Sequence, residues 1–174
     1  GAGFSHRIDL THQVTTTPPS IVYFPIVTCN YTAPMPIRRY SNDPYYDSQW
    51  ALAKVDAPAA WGVSTGRGIL IAVIDSGSDL DHPDLADKVR TDIDWDFVNN
   101  DDVADDDNGH GTHVSGIAAA ATDNGMGIAG LGWEATILPL KTLGANGSGY
   151  SDNLATAIRY AADHGARVIN MSLG

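Results

Sequence analysis

The residues best able to do chemistry lie in one short stretch, DDVADDDNGHGTHVSG, at positions 101–116. Five aspartates precede two histidines, His110 and His113, in a glycine-rich segment. Carboxylates and imidazoles are the groups that most often bind metal ions or transfer protons. The stretch therefore permits three interpretations: a metal site, an acid/base site, or a solvated acidic loop that leads into an ordinary helix.

Known metal-binding motifs fit the two histidines poorly. Zinc-protease helices place histidines at i and i+4 with a glutamate between them, whereas His110 and His113 are three residues apart. An EF-hand loop with Gly109 as its central glycine would start at Ala104 and end at Ser115, where a glutamate belongs. The spacing therefore disfavours zinc and excludes an EF-hand.

Asp75 is a second candidate partner for His110. It ends the apolar run GILIAVID at positions 68–75, which is typical of a buried parallel strand. A carboxylate that holds an imidazole in one tautomer is a central part of nucleophilic hydrolysis. Each residue also has an ordinary interpretation, Asp75 as the cap of a strand and His110 as the cap of a helix. The pair is more specific than either residue alone.

The elements that must position these residues alternate between strands and helices. DSQWALAKV and APAAWGV predict short helices, and longer helices are predicted at 111–122 and 151–165, the latter with Ser151 as N-cap and Gly165 as its end. Strands are predicted at 68–75, 89–98, 135–143 and 166–174. This alternation predicts a parallel α/β sheet, in which sites form at the carboxyl ends of strands. We therefore expect Asp75 and His110 to reach the same sheet edge.

The composition indicates an acidic globular protein. The chain has 174 residues, a net charge of −11 and 43% hydrophobic residues, and all of its acidic residues except Glu134 are aspartates. Aspartate favours turns, caps and calcium sites. The negative charge disfavours nucleic acid and anionic membranes as partners, and no apolar run approaches the roughly 18 residues of a membrane span.

A single cysteine, Cys29, excludes an intramolecular disulfide. The excess negative charge lies in 42–174, which predicts a domain boundary near Ser41.

Two motifs resemble the Asp and His signatures of subtilisin-like serine proteases, the subtilases. They are IAVIDSGSDLDHPDL at 71–85 and NGHGTHVSGIAAA at 108–120. GIAGLGWEATILPLKTLGANGSGY and YAADHGARVINMSLG continue the resemblance in order, over about 42–174, and thermitase-like members are the most similar. The resemblance implies a three-layer α/β fold with a parallel sheet, truncated after the fourth predicted strand. It also implies a serine endopeptidase that hydrolyses peptide bonds in proteins.

The resemblance assigns roles to individual residues. Asp75 matches the aspartate of the catalytic triad and His110 matches the general base, while His113 is expected to pack against the helix or sheet. Two edge segments match the substrate-binding walls: Leu143, Gly147, Ser148 and Gly149 on one side, and Ser172, Leu173 and Gly174 on the other. An extended polypeptide substrate would bind between them by strand addition.

The resemblance also implies Ca²⁺ as a cofactor, at two sites. The first would use the side chains of Asp43, Asp84 and Asn124 and the backbone carbonyls of Ala121, Met126 and Ile128. The second would use Asp96, Asp101 and Asp105, although Asp105 stands where thermitase-like members have an amide. The remaining aspartates of the opening stretch, Asp102, Asp106 and Asp107, are expected to be solvated.

The family's nucleophilic serine and oxyanion asparagine have no match in this sequence. We expect the chain to be the N-terminal part of a secreted, extracellular enzyme that is a monomer when complete, and residues 1–174 alone to be inactive. The alternatives are a non-catalytic calcium- and peptide-binding module, or a second chain that completes the site. Residues 1–41 are expected to be the tail of a propeptide, and hence a partner of the enzyme domain, or else a plain extension.

Overall fold

A computed structural model describes residues 37–173. These residues form a parallel four-stranded sheet with the order β2-β3-β1-β4, where β1 is Leu70–Asp75, β2 Trp95–Asp96, β3 Thr136–Lys141 and β4 Val168–Asn170. The helices are α1 Trp50–Lys54, α2 Ala57–Trp61, α3 His110–Ala119 and α4 Ser151–Asp163, and a 3₁₀ turn at Tyr46–Ser48 precedes α1. Among these elements, no helix is long and apolar enough to cross a membrane.

Helices cover both faces of the sheet. On one face, Leu70, Ala72 and Ile74 of β1 pack in the same cluster as Ala157 and Ala161 of α4. The alternate β1 residues Ile71 and Val73 pack on the other face with Val114, Ala118 and Ala119 of α3. Successive side chains of a strand point to opposite faces, so a strand covered on both faces is apolar throughout. The predicted three-layer α/β fold is confirmed.

The second predicted strand is much shorter than the sequence suggests. Of positions 89–98, only Trp95–Asp96 is a strand, and Val89 adds one isolated bridge to Ile137. The carboxylates of Asp94 and Asp96 accept hydrogen bonds from loop backbone, and the ladder with β3 is limited to Trp95 and Asp96. The buried Asp94 accepts the N–H of Ala104 at 2.9 Å, and Asp96 accepts that of Val98 at 2.6 Å. Short polar side chains that bind backbone groups compete with strand pairing in this way.

Helix α4 agrees with its prediction except at its first residue. Ser151 is the first helical residue and not the N-cap, because Tyr150 holds the cap position without a side-chain hydrogen bond. Gly165 has a φ of +81°, which ends the helix as predicted. Ala157 and Ala161 are fully buried on the inner face. The two short helices before β1 are confirmed as α1 and α2.

The N-terminus of α3 lies directly against the loop that follows β1. A Cβ atom added at Gly111 would lie 2.0 Å from the carbonyl oxygen of Gly77. Gly116, one and a half turns further along the same helix, would meet only the Cδ1 atom of Ile128, at 3.5 Å. The absence of a side chain at Gly111 therefore lets the helix start approach the end of the strand.

This difference predicts opposite effects for two alanine substitutions in α3. Gly111→Ala should lower the free energy of unfolding by about 1–3 kcal/mol, because the new methyl group overlaps backbone. Gly116→Ala should be neutral or raise it by about 0.5–1 kcal/mol, because alanine is the better helix former. Urea denaturation of the two variants tests this, and a Gly111→Ala protein as stable as Gly116→Ala would contradict the close approach.

Candidate active site

Asp75 and His110 meet at the carboxyl end of β1, as the sequence predicts. Asp75 is the last residue of β1 and His110 is the first residue of α3. The Nδ1 atom of His110 lies 2.8 Å from Oδ1 of Asp75. The carboxylate is fully buried, whereas the imidazole is 48% exposed. The carboxylate therefore anchors an imidazole whose Nε2 edge is left available for chemistry.

The carboxylate of Asp75 has few other partners. Its Oδ1 also accepts the N–H of Ser76 at 2.7 Å, and its Oδ2 has no hydrogen-bond partner among residues 37–173. A buried charge needs an opposite charge or hydrogen-bond donors to be stable. His110 is the titratable group in contact with Asp75, so protonation of the imidazole responds directly to this carboxylate.

The pKa of His110 is raised above its ordinary value of 6.5. The hydrogen bond to Asp75 is the largest cause, followed by the charge of Asp75, and partial desolvation opposes both. A smaller contribution in the raising direction comes from the charge of Asp106. The site thus favours a proton on Nδ1 and stabilises the imidazolium once a second proton arrives at Nε2.

The predicted substrate-binding segments border the same cleft as His110. This cleft has a volume of about 250 Å³ and is lined by Asn108, His110, Leu143, Gly147, Ser172 and Leu173. Ser148 and Gly149 line a neighbouring cavity of about 320 Å³, together with Leu143 and Leu173. The structure therefore brings the two predicted segments together beside the imidazole. Gly174 lies outside the described residues.

The segment from Leu143 to Gly149 folds back on itself. Leu143 and Gly149 form an antiparallel bridge, and Gly147 has a φ of +72°. A Cβ atom at Gly149 would lie 2.1 Å from the carbonyl oxygen of Thr142. The N–H of Leu143 donates to the carbonyl of Asp75 at 3.0 Å, so this wall of the cleft is fixed to the strand that carries the carboxylate.

Two expectations about the opening stretch are wrong. His113 is exposed and is not packed against the helix or sheet as expected. Asp106 and Asp107 are not merely solvated: Asp106 accepts hydrogen bonds from Ser76 and the start of α3, and Asp107 pairs with Lys141 at 2.5 Å. Asp106 lies three residues before the N-cap residue Gly109, so the usual preference for aspartate at the N-cap does not identify it from the sequence. Asp102 is exposed, as expected.

The side chains of the first predicted calcium site lie together. Asp43 and Asp84 are buried, the Nδ2 of Asn124 donates to Oδ1 of Asp84 at 2.9 Å, and Asp43 accepts the N–H of Asn124 at 3.0 Å. None of the hydrogen bonds within 37–173 uses the carbonyl oxygens of Ala121, Met126 or Ile128. Buried carboxylates, an amide and free carbonyls are ligands of the kind that Ca²⁺ takes, so this set fits the ion in its chemistry.

The second predicted calcium site has less support. The buried Asp96 directs its oxygens to Val98 and Asn99, while Asp101 and Asp105 are exposed. In the part of the chain that is described, no three acidic, histidine or cysteine side chains are grouped closely enough to hold a metal ion. This site stays a prediction from the resemblance.

Comparison with known proteins matches residues 66–174 to the subtilase family. Thermitase from Thermoactinomyces vulgaris is 50% identical over 134 residues, which are 76% of this chain and 47% of thermitase. A thermophilic serine proteinase from Bacillus sp. (strain AK1) is 50% identical over 135 residues, which are 76% of this chain and 33% of that protein. Among solved structures, a protease from Pseudoalteromonas arctica has a TM-score of 0.70 at 30% identity, covering 78% of this chain and 51% of the other. The chain therefore spans about half or less of these relatives.

The geometry predicts that Asp75→Asn lowers the pKa of His110, because it removes the charge that stabilises the imidazolium. In the wild-type protein the folded-state pKa is above 6.5, so the stabilisation from the charged pair is complete below the unfolded-state value and is lost as the pH rises through the folded-state pKa. NMR titration of the His110 ring measures the pKa, and urea denaturation at a series of pH values measures the change in stability. Asp102→Asn, which removes an exposed charge from the neighbouring loop, is the control. An unchanged His110 pKa in Asp75→Asn would contradict the pairing.

Proposed function

This chain belongs to the subtilase family, and from this premise we propose that it carries two residues of a serine endopeptidase triad, His110 as general base and Asp75 as its orienting carboxylate. The observation that carries the proposal is the 2.8 Å contact between the buried Asp75 and the half-exposed His110 at the border of a cleft. Residues 66–174, which match the family, include both. The relatives named above are proteases, which supports proteolysis as the reaction class.

In the proposed mechanism, Asp75 holds the proton of neutral His110 on Nδ1. The free Nε2 then removes the proton from a serine hydroxyl as that oxygen attacks the peptide carbonyl. The Asp75 carboxylate stabilises the imidazolium that results, and Nε2 returns the proton to the leaving amine. The serine and the oxyanion donor would belong to the portion of the relatives that this chain does not span.

The proposed substrate is an extended polypeptide held in the cleft between the two edge segments. Leu143 and Gly147 line one side and Ser172 and Leu173 the other, and His110 borders the same space. Gly147 has no side chain at this wall, so a substrate backbone can come close there. Strand addition would supply most of the binding energy through main-chain hydrogen bonds.

A non-catalytic peptide-binding module is the second candidate function. It is favoured by the absence of a nucleophile: no serine hydroxyl between residues 37 and 173 forms a hydrogen bond with His110. The hydroxyl of Ser76, which directly follows Asp75, donates to Asp106 instead. Sequencing the gene beyond codon 174 separates the two candidates. A downstream Gly-Thr-Ser motif supports the endopeptidase, and an immediate stop codon supports the binding module.

Ca²⁺ is proposed as a structural ion at the first site, held by Asp43, Asp84 and Asn124 with the carbonyls of Ala121, Met126 and Ile128. The ion would join the residues before α1, the loop after β1 and the loop after α3, and it would neutralise two buried carboxylates. Secretion, and a propeptide role for residues 1–41, stay predictions.

The endopeptidase proposal predicts that His110→Ala in the complete enzyme lowers kcat on the order of 10⁴-fold or more, because the general base is lost. His113→Ala, which truncates an exposed histidine on the same helix, should retain nearly full activity. Hydrolysis of a chromogenic peptide measures both variants. The proposal fails if His110→Ala keeps more than about a tenth of the wild-type kcat. Residues 1–174 alone should show no turnover that depends on His110.

The calcium proposal predicts a higher melting temperature in the presence of the ion. An ion at 100 times its Kd stabilises the folded state by about 2.7 kcal/mol, which corresponds to roughly 5–10 °C for a domain of this size. Calorimetry of metal-free protein with and without Ca²⁺ measures the shift. Asp84→Asn should abolish the shift, whereas Asp87→Asn, an exposed neighbour, should preserve it. Metal-free protein that melts at the same temperature after addition of Ca²⁺ would disprove the site.

A further inference from the structure

Ser76 is the point at which the backbones carrying Asp75 and His110 are joined. It directly follows Asp75, and its hydroxyl oxygen accepts the N–H of Gly111 at 2.9 Å. Gly111 in turn directly follows His110. The same hydroxyl donates to Oδ1 of Asp106 at 2.8 Å. This hydrogen-bonded bridge lies directly between the two functional residues and is one of the contacts that set their relative position, together with the hydrogen bond from the Asp79 N–H to the Thr112 hydroxyl.

Asp106 fixes the other side of this bridge to the start of α3. Its Oδ1 also accepts the N–H groups of Asn108 and Gly109, each at 2.9 Å. Its Oδ2 accepts the N–H of Thr112 at 2.9 Å and the Thr112 hydroxyl at 2.5 Å. The first N–H groups of a helix lack partners within the helix. Asp106 supplies such a partner while it holds Ser76, which lies 30 residues earlier in the chain.

A buried lysine holds Ser76 from its other side. Lys141 is 1% exposed, and its Nζ donates to the carbonyl oxygen of Ser76 at 2.6 Å. The same Nζ pairs with Asp107 at 2.5 Å. Asp106 thus binds the hydroxyl of Ser76 directly, and Asp107 acts on its carbonyl through Lys141.

The hydrogen-bond donors around Asp106 suit a carboxylate. One of its oxygens accepts from Ser76, Asn108 and Gly109, and the other accepts from the N–H and the hydroxyl of Thr112. An amide at this position has only one accepting oxygen and cannot satisfy the donors on both sides.

We propose that Asp106 is a positioning residue that sets the contact between His110 and Asp75 by locking Ser76 to the start of α3. A residue that only capped the helix would bind its own helix and nothing else. Asp106 binds the helix start and the residue after Asp75 at once, so its loss weakens the link between the two segments that carry the catalytic contact. The expected loss of activity rests on the function proposed above, whereas the expected change in the contact between His110 and Asp75 does not.

The test compares Asp106→Asn with Asp102→Asn, which removes the same charge from an exposed position in the same loop. In the 174-residue chain, NMR follows the Nδ1 proton of His110 and its exchange with water. We expect exchange to be faster by roughly tenfold or more in Asp106→Asn, about the effect of losing one hydrogen bond. Asp102→Asn should exchange like the wild type.

A second variant keeps the test decisive if Asp106→Asn does not fold. Ser76→Ala keeps the hydrogen bonds between Asp106 and Thr112 and removes those of the Ser76 hydroxyl to Asp106 and Gly111, so it should also accelerate exchange of the His110 Nδ1 proton. The proposal is overturned if a folded Asp106→Asn protein exchanges like the wild type, or if Asp102→Asn has an equal effect. With Asp106→Asn unfolded, wild-type exchange in Ser76→Ala overturns it.

Activity of the complete enzyme separates this proposal from the proposed function. If both hold, Asp106→Asn should lower kcat more than it changes KM, because substrate binding does not use Asp106. Faster exchange of the Nδ1 proton together with unchanged kcat would support the positional role and count against His110 as the general base. Unchanged exchange with a lowered kcat would count against the positional role alone.

Discussion

Burial of the Asp75 carboxylate is the constraint on which the rest of this structure depends. A buried charge is stable only when nearby groups satisfy it, and Asp75 has one oxygen without a partner among the described residues. The other oxygen is shared by the Ser76 N–H and the His110 ring. The imidazole therefore has to stay close, and the elements that carry it have to be held at the end of β1.

The sheet and its neighbouring helix meet this constraint through backbone proximity. β1 is an interior strand paired on both sides, with β3 and β4, so its end is fixed. The contact between Gly111 and the Gly77 carbonyl lets α3 begin close to that end. The N–H groups of Thr142 and Leu143 donate to the Asp75 carbonyl. The same strand end thus positions the carboxylate, the imidazole and one wall of the cleft.

The sequence predicted the parts of this arrangement that follow from periodicity and missed those that follow from individual side chains. The apolar run before Asp75 and the inner face of α4 were identified because burial on a sheet or helix leaves a regular pattern. The shortness of β2 was not predicted, since it depends on where Asp94 and Asp96 find backbone donors. The pairing of Asp75 with His110 was expected from strand-end geometry and from family resemblance. The role of Asp106 was not predicted, because the sequence does not show that Ser76, which lies 30 residues earlier, is within hydrogen-bonding distance.

The predominance of aspartate over glutamate has a structural reason in the loops. The short aspartate side chain reaches the backbone N–H groups two or three residues further along, as Asp96 does with Val98 and Asn99 and Asp106 with Asn108 and Gly109. Glutamate, one methylene longer, suits this local geometry less well. The acidic charge of the chain is therefore partly a consequence of ordering loops by side-chain acceptors. Asp43 also accepts backbone N–H groups, but from a loop distant in the chain, those of Asn124 and Gly125. Backbone donors of this kind offset a carboxylate charge without neutralising it. Asp43 and Asp84 are buried near the same loop, and the Ca²⁺ proposed there would supply the positive charge that the N–H groups do not.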